Sequence, residues 1–511
     1  MSEKNHYIFV EPEPYSTDIL AMLRSYYPER NLKVVVPESR EDLKAEATEA
    51  GFFCSVICEE KAAHVVLEGM EYDYVYSGEE FSDVPEDEET ISGSAFKKGL
   101  GAWFYRLLRE KTGRDLPWGN LNGVRPTKPA FCGLDKGDSE ETIRKYYETE
   151  HYVSRKKTDL ALDIAGRELE ILQQLIHPEF ATETDPHGYT KGYSLYIGIP
   201  FCPTTCLYCS FTSFPIAAYR KEAEHYIDCL IREMEETAVL MKEYILDSVY
   251  IGGGTPTTLE PDQLDRMLTA LHEQFDFATV REFTVEAGRA DSITREKLEV
   301  LKKHGVSRIS INSQTMKQET LDFIGRKATV QQVLEAYPIA RELGFDNINM
   351  DLILGLPGED EEDVAETMRQ VKALAPDSLT IHSLAIKRAS RLAQWIEQNG
   401  MPVAGNTDQT MEIAMQGAEE MGLKPYYLYR QKNMSGNFEN VGYAAPGKYG
   451  LYNILIMEEV QSIVALGAGT ITKRAYPDGR LERCENVKDV KLYMELLDEM
   501  IERKKTLFGA E

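Results

Sequence analysis

Three cysteines stand close together in the segment YIGIPFCPTTCLYCSF, which spans residues 196–211. Cys202, Cys206 and Cys209 form a C-x3-C-x2-C run directly after an apolar stretch. Three thiols are an odd number for disulfide bonds and one fewer than a closed four-ligand zinc site needs. The run fits a [4Fe–4S] cluster held by three thiolates, with the fourth iron open to another ligand. The spacing by itself also arises by chance.

The cysteine run lies within a repeating alternation of strands and helices that begins at Tyr193. Amphipathic segments separate six segments with strand patterns, which are YSLYIGI, DSVYIG, EFTVEA, SRISIN, NINMDLI and SLTIHSL. Six such units predict an α/β fold with a parallel sheet and right-handed crossovers, in the form of an open six-stranded barrel. These folds place their chemistry at the carboxyl ends of the strands, and the cysteine run follows the first strand.

A glycine triplet, Gly252 to Gly254, follows the second predicted strand in YIGGGTPTTL. Glycine lets the backbone approach a ligand closely, with N–H groups that are free to bind a carboxylate or donate to polar atoms. A tight strand-to-helix turn is the alternative interpretation. That alternative does not explain why the triplet follows the strand next to the cysteine run.

Patterns of apolar and polar residues divide the chain into four regions. Residues 1–95 predict a small α+β domain and residues 96–182 a helical region. Residues 190–390 contain the strand–helix alternation, and residues 391–511 form a C-terminal region. The acidic stretch 71–90 carries no Lys or Arg, which predicts a solvated loop.

The composition of the chain limits the cellular compartments and the partners that we expect for it. The formal net charge of -28 gives no global attraction for phosphate backbones, so we expect no nucleic-acid partner. No apolar run is long enough for a membrane span, and the N-terminus lacks the pattern of a signal peptide. These features predict a cytoplasmic protein whose eight cysteines are free or metal-bound. The oligomeric state is not predicted by the sequence.

Together the cysteine run and the glycine triplet resemble the radical S-adenosylmethionine (SAM) superfamily. Five ordered motifs over about residues 190–390 resemble the oxygen-independent coproporphyrinogen III oxidase family, which includes the heme chaperones: YIGIPFCxxxCxYC, GGGTPT, GVSRISINSQTM, IGRKAT and NINMDLILGLPGE. The flanking segments resemble the coproporphyrinogen dehydrogenase branch, which has an N-terminal extension: PWGNLNGVRPTK, HSLAIKRAS and YYLYRQKNMSGNFENVGY. The resemblance implies a partial (β/α)6 barrel with a C-terminal extension that covers the substrate.

The resemblance also implies roles for particular residues. Cys202, Cys206 and Cys209 would ligate the [4Fe–4S] cluster. Residues matching the SAM contacts of the family are Tyr196, Gly253, Gly254, Thr255, Glu286, Gln314, Arg326 and Asp351. Three of these residues also have an interpretation without SAM: Arg326 as a surface arginine, Gln314 as a capping amide and Asp351 as a partner for a strand-end N–H. Catalytic side chains are not identified.

The implied reaction starts with an electron from a flavodoxin- or ferredoxin-like donor. SAM is then cleaved to a 5′-deoxyadenosyl radical, which takes a hydrogen atom from a propionate of the tetrapyrrole substrate. Loss of CO2 and one electron leaves a vinyl group, and two such events give protoporphyrinogen IX. The substrate carries four carboxylates, so local cations are needed. The candidates, for which a solvated basic patch is the alternative, are Lys387, Arg388, Arg391, Arg430 and Lys432.

Two other activities stay open on the same fold: a heme chaperone that does not decarboxylate, and an enzyme that modifies heme. The decarboxylases continue the cysteine motif with a further cysteine, whereas this chain has Phe211, as in the chaperones. Against the chaperones, the segment GLYNILIM around Asn453 lacks the His-Asn and Tyr-Trp pairs expected there. His382, at the end of the sixth strand, is a further candidate for substrate contact.

Overall fold

The computed structural model describes residues 5–27, 30–77, 91–121, 123–386, 390–399, 406–431 and 438–509. The chain forms two compact units. One consists of residues 1–162 with 430–438, and the other of residues 163–429 with 439–511. The boundaries predicted after residues 95, 182 and 390 do not coincide with this division.

The first unit contains a five-stranded sheet and its covering helices. Its elements in chain order are β1 (Asn5–Glu11), α1 (Ser16–Tyr26), β2 (Asn31–Val35), α2 (Glu41–Ala50), β3 (Phe52–Cys58), β4 (Ala62–Leu67), β5 (Met70–Val75), α3 (Ile91–Thr112), α4 (Lys128–Lys136), α5 (Glu140–Arg144) and the start of α6 (Arg155–Leu172). The strand order is β2-β1-β3-β4-β5, with β2 and β3 parallel to β1 and the last two strands antiparallel.

Helix α3 explains why residues 1–95 and the following helices are one unit. Its apolar residues, among them Phe96, Phe104 and Leu108, are buried in one core with strand residues such as Ile8 and Val56. The predicted boundary at residue 95 therefore falls inside a helix that covers the sheet. The acidic stretch 71–90 also differs from prediction, because its first five residues belong to β5; residues 78–90 lie outside the described ranges.

The second unit contains the predicted strand–helix alternation. Its elements up to the sixth predicted strand are β6 (Gly192–Ile199), β7 (Phe201–Cys202), β8 (Phe214–Pro215), α7 (Ala223–Leu240), β9 (Ile245–Gly253), α8 (Pro261–Gln274), β10 (Glu282–Gly288), α9 (Arg295–Lys303), β11 (Arg308–Ile311), α10 (Gln318–Phe323), α11 (Val330–Glu342), β12 (Ile348–Leu354), α12 (Glu361–Leu374) and β13 (Ser378–Ser383). The elements that follow are α13 (Arg391–Asn399), α14 (Asp408–Glu420), β14 (Lys424–Tyr429), β15 (Asn440–Ala444), α15 (Leu451–Glu458), β16 (Ser462–Leu466), β17 (Ile471–Ala475), β18 (Leu481–Glu485), α16 (Val490–Glu495) and α17 (Leu497–Phe508).

The six predicted strands pair side by side in chain order, from β6 through β9, β10, β11 and β12 to β13, and every pairing is parallel. Most residues of these strands are buried, as expected for a parallel sheet with both faces covered. The predicted α/β architecture is confirmed. Because the strands are parallel, their carboxyl ends meet at one edge of the sheet.

Five further strands extend this sheet beyond the predicted six. Strand β16 pairs in parallel with β6 and is followed by antiparallel β17 and β18. At the other side β15 and β14 add antiparallel to β13, giving an open sheet of 11 strands. Strands β14 to β18 thus complete the sheet in this unit, which is why residue 390 is not a boundary between compact units. That residues 391–511 cover the substrate stays a prediction.

Candidate active site

The loop that carries the three cysteines is fixed by hydrogen bonds to neighbouring loops. Cys202 belongs to β7, which pairs with β8, and its Sγ lies 3.4 Å from the Thr255 hydroxyl. The Leu207 N–H donates to the carbonyl of Ile324 at 2.9 Å, and the Leu207 carbonyl accepts from the N–H of Leu392. The loop is therefore positioned by segments that follow β9, β11 and β13.

The three free thiols are ligands of the kind that a [4Fe–4S] cluster uses. Among the described residues, no group of three or more His, Cys, Asp or Glu side chains is placed to hold one ion. A [4Fe–4S] cluster binds each thiolate at a different iron, so the three sulfurs need not converge on one point. Burial raises the pKa of the Cys202 thiol to about 11. Binding of a metal there requires the thiolate and therefore releases a proton.

Arg289 is a functional candidate that the sequence analysis missed. It follows β10 directly, and its guanidinium donates to the Thr204 carbonyl at 3.0 Å and hydroxyl at 2.8 Å. The same nitrogen lies 3.8 Å from Cys206 Sγ, while Asp291 pairs with the guanidinium at 2.7 Å. This buried ion pair holds the cysteine loop against the end of β10. Its position one residue after a strand end was the available signal.

The glycine triplet forms the tight turn that ends β9. The N–H of Gly254 donates to the Ile199 carbonyl and the N–H of Thr255 to the Phe201 carbonyl, each at 2.7 Å. Within the triplet, the N–H of Gly254 is thus occupied by the fold and is not free for a ligand. A Cβ on Gly254 would lie 2.4 Å from the Phe201 carbonyl oxygen. The glycine is required because backbone approaches backbone here.

A stack of tyrosines lies beside this turn. The ring of Tyr196 stacks on those of Tyr250 and Tyr452, each at 6.0 Å, and the last two rings are 4.4 Å apart. Tyr196 and Tyr250 are register partners on β6 and β9, which brings the rings to one face. Tyr250 and Tyr452 were not predicted from the sequence, although Tyr250 alternates with Gly252 along β9 and so shares its face.

Glu286 lies at the centre of these groups. It accepts a hydrogen bond of 2.5 Å from the Tyr250 hydroxyl and another from the N–H of Gly253. Burial raises the pKa of its carboxyl to about 7, the two hydrogen bonds oppose this shift, and the charge of Asp351 adds to it. The carboxyl is therefore close to half protonated at neutral pH, and a nearby cation would favour its charged form.

Two side chains in the segments that follow β11 each bury a polar atom that lacks a partner. The Oε1 atom of Gln314 and the Nε atom of Arg326 are buried and find no hydrogen-bond partner among the described residues. Gln314 also has a φ of 72°, held by hydrogen bonds of its backbone to Asp351 and Ile353. Buried polar atoms normally have partners, so these two fit a site for a polar ligand.

Asp351 on β12 faces His382 on β13. The Asp351 Oδ1 atom accepts from the Asn349 amide at 2.7 Å, and its Oδ2 atom lies 4.0 Å from His382 Nε2. The His382 Nδ1 atom is 3.2 Å from the Tyr429 hydroxyl. Burial lowers the pKa of His382, while Asp351 raises it. The imidazole is thus held by two partners at the strand ends where the predicted SAM contacts lie.

The predicted substrate cations are placed in different surroundings. Arg391 is exposed at the start of α13, and its guanidinium donates to the Thr205 carbonyl in the cysteine loop. Arg430 belongs to the first unit, where it is buried and donates to the Leu121 carbonyl at 2.6 Å. Lys387, Arg388 and Lys432 lie outside the described residues. A role in substrate binding stays a prediction for all five.

The comparisons with known proteins agree with this site. The sequence model of the Radical SAM superfamily matches residues 196–371, which contain all three cysteines and all eight predicted SAM contacts. Proteins of this superfamily use a [4Fe–4S] cluster and SAM. The three thiols and the unpartnered polar atoms at the strand ends fit both cofactors. No helix within the described ranges is long and apolar enough to span a membrane.

Three relatives resemble this chain over different lengths. The oxygen-independent coproporphyrinogen-III oxidase-like protein HemZ of Bacillus subtilis is 38% identical over 426 residues, 82% of each chain. The heme chaperone HemW of Bacillus subtilis is 29% identical over 309 residues, 60% of this chain and 76% of the relative. The oxygen-independent coproporphyrinogen III oxidase of Salmonella typhimurium is 32% identical over 192 residues, 38% of this chain and 42% of the relative. The chain belongs to the oxygen-independent coproporphyrinogen III oxidase family of the radical SAM superfamily.

Proposed function

We propose that this protein decarboxylates propionate side chains of coproporphyrinogen III to vinyl groups without oxygen, giving protoporphyrinogen IX. The observation that carries the proposal is the length of the match to the oxidase-like relative, which covers 82% of both chains. That match extends well beyond residues 196–371, whereas the match to the heme chaperone covers 60% of this chain. Similarity outside the radical SAM core favours the oxidase-like branch.

In this proposal Cys202, Cys206 and Cys209 hold the cluster, and the polar groups at the neighbouring strand ends hold SAM. When bound, the two cofactors supply a 5′-deoxyadenosyl radical that takes a hydrogen atom from the β-carbon of a propionate, after which CO2 and one electron leave. The protein contributes binding, orientation and exclusion of water.

Glu286 and Asp351 supply negative charge to a cationic ligand. SAM carries a sulfonium and an ammonium group, and both carboxylates lie at adjacent regions of the same sheet edge. A cation near Glu286 lowers its pKa from about 7, so binding releases a proton from that carboxyl at neutral pH. Tyr250 and Gly253 keep the carboxyl oriented, because each donates a hydrogen bond to it.

The tyrosine stack limits the access of water. Tyr452 is 6% exposed and packs on Tyr250 at 4.4 Å, so α15 covers one face of the ring whose hydroxyl donates to Glu286. A radical needs such shielding, because an enclosed site prevents side reactions with solvent. Residues 451–458 thereby contribute to the site from outside the six-stranded core.

The four carboxylates of coproporphyrinogen III must be bound by a chain with a net charge of -28. We assign part of this task to Arg391, which is exposed next to the cysteine loop, and to Lys387 and Arg388, which precede it in the sequence. Arginine is suited to this role because its guanidinium can bind a carboxylate through two parallel hydrogen bonds.

Heme binding without decarboxylation is the second candidate, and Phe211 is the observation that favours it. Phe211 stands where the decarboxylases have a further cysteine, and its side chain is 71% exposed. Histidine is a common axial ligand of heme iron, and none of the nine histidines follows His382 in the sequence. The C-terminal 129 residues thus offer heme no imidazole.

Anaerobic incubation of the reconstituted protein with coproporphyrinogen III, SAM and a reductant, followed by chromatography of the porphyrins, tests the proposal. We expect a three-propionate intermediate and then protoporphyrinogen. In parallel, the protein is titrated with heme and its absorbance spectrum recorded. Unchanged porphyrin together with tight heme binding would favour the chaperone.

We also propose a cytoplasmic location and an electron carrier as partner.

A further inference from the structure

The segment around the cysteines differs in charge from the rest of the chain. Asp and Glu number 85 of the 511 residues, yet residues 202–221 contain neither. The same segment ends with Arg220 and Lys221, which are both exposed. A strongly acidic protein thus has a local surface on which positive charge is not offset by its own sequence.

Packing holds the segment before these two cations against β7, which carries Cys202. Strand β8 follows the last cysteine and pairs with β7, so that Pro215 is the register partner of Cys202. The ring of Tyr219 then packs on Phe201 at 6.0 Å and on Phe214 at 5.3 Å. Arg220 and Lys221 come directly after Tyr219 and are therefore held beside the strand that carries the first cysteine.

A third cation follows a segment that is hydrogen-bonded to the cysteine loop. The Thr204 hydroxyl donates to the Gly325 carbonyl at 3.2 Å, which fixes the loop after α10 against the cysteine loop. Lys327 follows two residues later and is exposed. In the segment that follows the last cysteine, Phe211 is 71% exposed and Pro215 is also exposed. We call Phe211, Pro215, Arg220, Lys221 and Lys327 the basic surface.

Nearby acids do not neutralise the basic surface. Glu222 lies 3.8 Å from Lys491, and Glu224 lies 3.3 Å from Arg266, so each carboxylate has another cation as its partner. Asp322 on α10 accepts a hydrogen bond from the Gln318 amide at 2.9 Å and forms no ion pair with Lys327. None of the three cations of the basic surface forms an ion pair with any residue in the described ranges. Their charge is available to a partner.

We infer that the basic surface docks a small acidic one-electron carrier protein of the flavodoxin type. The inference rests on the proposed function, which needs an electron at the cluster. The carrier would lose one electron and the cluster would gain it, at a place where Cys202 and Cys209 are only partly buried. Complementary charge raises the association rate of transient partners, and a few exposed apolar residues suffice for such small interfaces.

The chain offers a matched control for the charges. Lys221 precedes α7, and Lys242 follows the other end of the same helix, about 27 Å away for 18 residues. Lys242 is exposed and, like Lys221, forms no ion pair with the described residues. The double variant Arg220→Glu with Lys221→Glu is compared with Lys242→Glu and with the wild-type protein. Lys327→Glu tests the third cation of the basic surface.

Binding of oxidised flavodoxin to the full-length protein is measured by calorimetry at low and high ionic strength. We expect the double variant to bind roughly 10-fold more weakly at low ionic strength, with the difference shrinking as salt is added. Lys327→Glu should weaken binding in the same direction. Lys242→Glu should bind as the wild-type protein does. Equal binding by the double variant, or equal weakening by Lys242→Glu, would overturn the inference.

A kinetic measurement separates docking from the proposed function. Reduction of the cluster by flavodoxin hydroquinone should slow in the double variant, whereas reduction by dithionite and the iron content should not change. If decarboxylation is absent but charge-dependent reduction by flavodoxin persists, the docking surface stands and the proposed substrate is wrong. If dithionite reduction slows equally, the substitutions damage the cluster site and the docking surface is rejected.

Discussion

Tyr250 and Glu286, from neighbouring parallel strands, are joined by a hydrogen bond of 2.5 Å inside the candidate active site. The bond links the tyrosine stack to a carboxyl that burial has made hard to ionise. The charge state of this pair therefore depends on both pH and ligand.

The Glu286 carboxyl makes the stability of the cofactor-free protein depend on pH. Its pKa is about 7 in the folded protein and near 4.5 when the side chain is exposed, so the folded state retains the proton to higher pH. Glu286 therefore stabilises the folded protein most below pH 4.5. As the pH rises through about 7 this stabilisation is lost, and the free energy of unfolding falls by about 3 kcal/mol. Glu286→Gln should flatten this part of the profile in urea unfolding. A profile that keeps its full slope in Glu286→Gln would show that Glu286 does not titrate in this range.

Cys206→Ala should abolish stable cluster binding, because the three thiolates are the proposed protein ligands. The measurement is iron and sulfide content with the absorbance spectrum after anaerobic reconstitution. Cys484→Ala on β18 is the matched control and should retain a full cluster. A Cys206→Ala protein with wild-type iron and sulfide would contradict the assignment.

Gln314→Gly should have opposite effects on stability and on SAM binding. The native backbone has a φ of 72°, which costs about 1 kcal/mol for a residue with a Cβ, and the side chain buries an unpartnered Oε1 atom. Glycine removes both costs, so the cofactor-free protein should gain about 1 kcal/mol of unfolding free energy. SAM affinity, measured by calorimetry, should fall roughly 10-fold through the lost hydrogen bond. Unchanged SAM affinity would remove Gln314 from the site.

Gly254→Ala should disrupt the turn that ends β9 and packs against the backbone of Ile199 and Phe201. The new Cβ would meet the Phe201 and Ile199 carbonyl oxygens at 2.4 and 2.8 Å, so we expect a loss of about 2 kcal/mol in unfolding free energy and a lower cluster content. Gly166→Ala is the control, because Gly166 is an exposed helical glycine with nothing within 4 Å of the new Cβ. It should be neutral or slightly stabilising in the same denaturation experiment. Equal effects of the two substitutions would show that the close approach at Gly254 is unimportant.

The six parallel strands could be predicted because each is a short apolar run followed by an amphipathic helix. Strands β14 to β18 could not, since β15 and β16 join the sheet through pairing with β13 and β6, which are distant in sequence. The same limit applies to α3, whose packing on the first sheet depends on contacts that local pattern does not encode.

Residues of the site were predictable where a motif marked them. The cysteines come after the first predicted strand and Glu286 lies near the end of β10, whereas Tyr452 reaches the site from α15, some 250 residues after Tyr196 in the sequence. Arg289 was missed because its role depends on a contact with Thr204 that folding creates. The hydrogen bond from the Gly254 N–H to Ile199 could not be predicted, because the sequence pattern does not show which carbonyls lie opposite the glycine triplet.

The most direct test of decarboxylation follows hydrogen from substrate to cofactor. Coproporphyrinogen III deuterated at the β-carbons of its propionates is incubated anaerobically with the reconstituted protein, SAM and a reductant. Mass spectrometry then measures deuterium in the 5′-deoxyadenosine together with the porphyrin products. We expect deuterated 5′-deoxyadenosine together with a three-propionate intermediate and protoporphyrinogen. Unlabelled 5′-deoxyadenosine and a substrate that keeps all four propionates would contradict the proposed function.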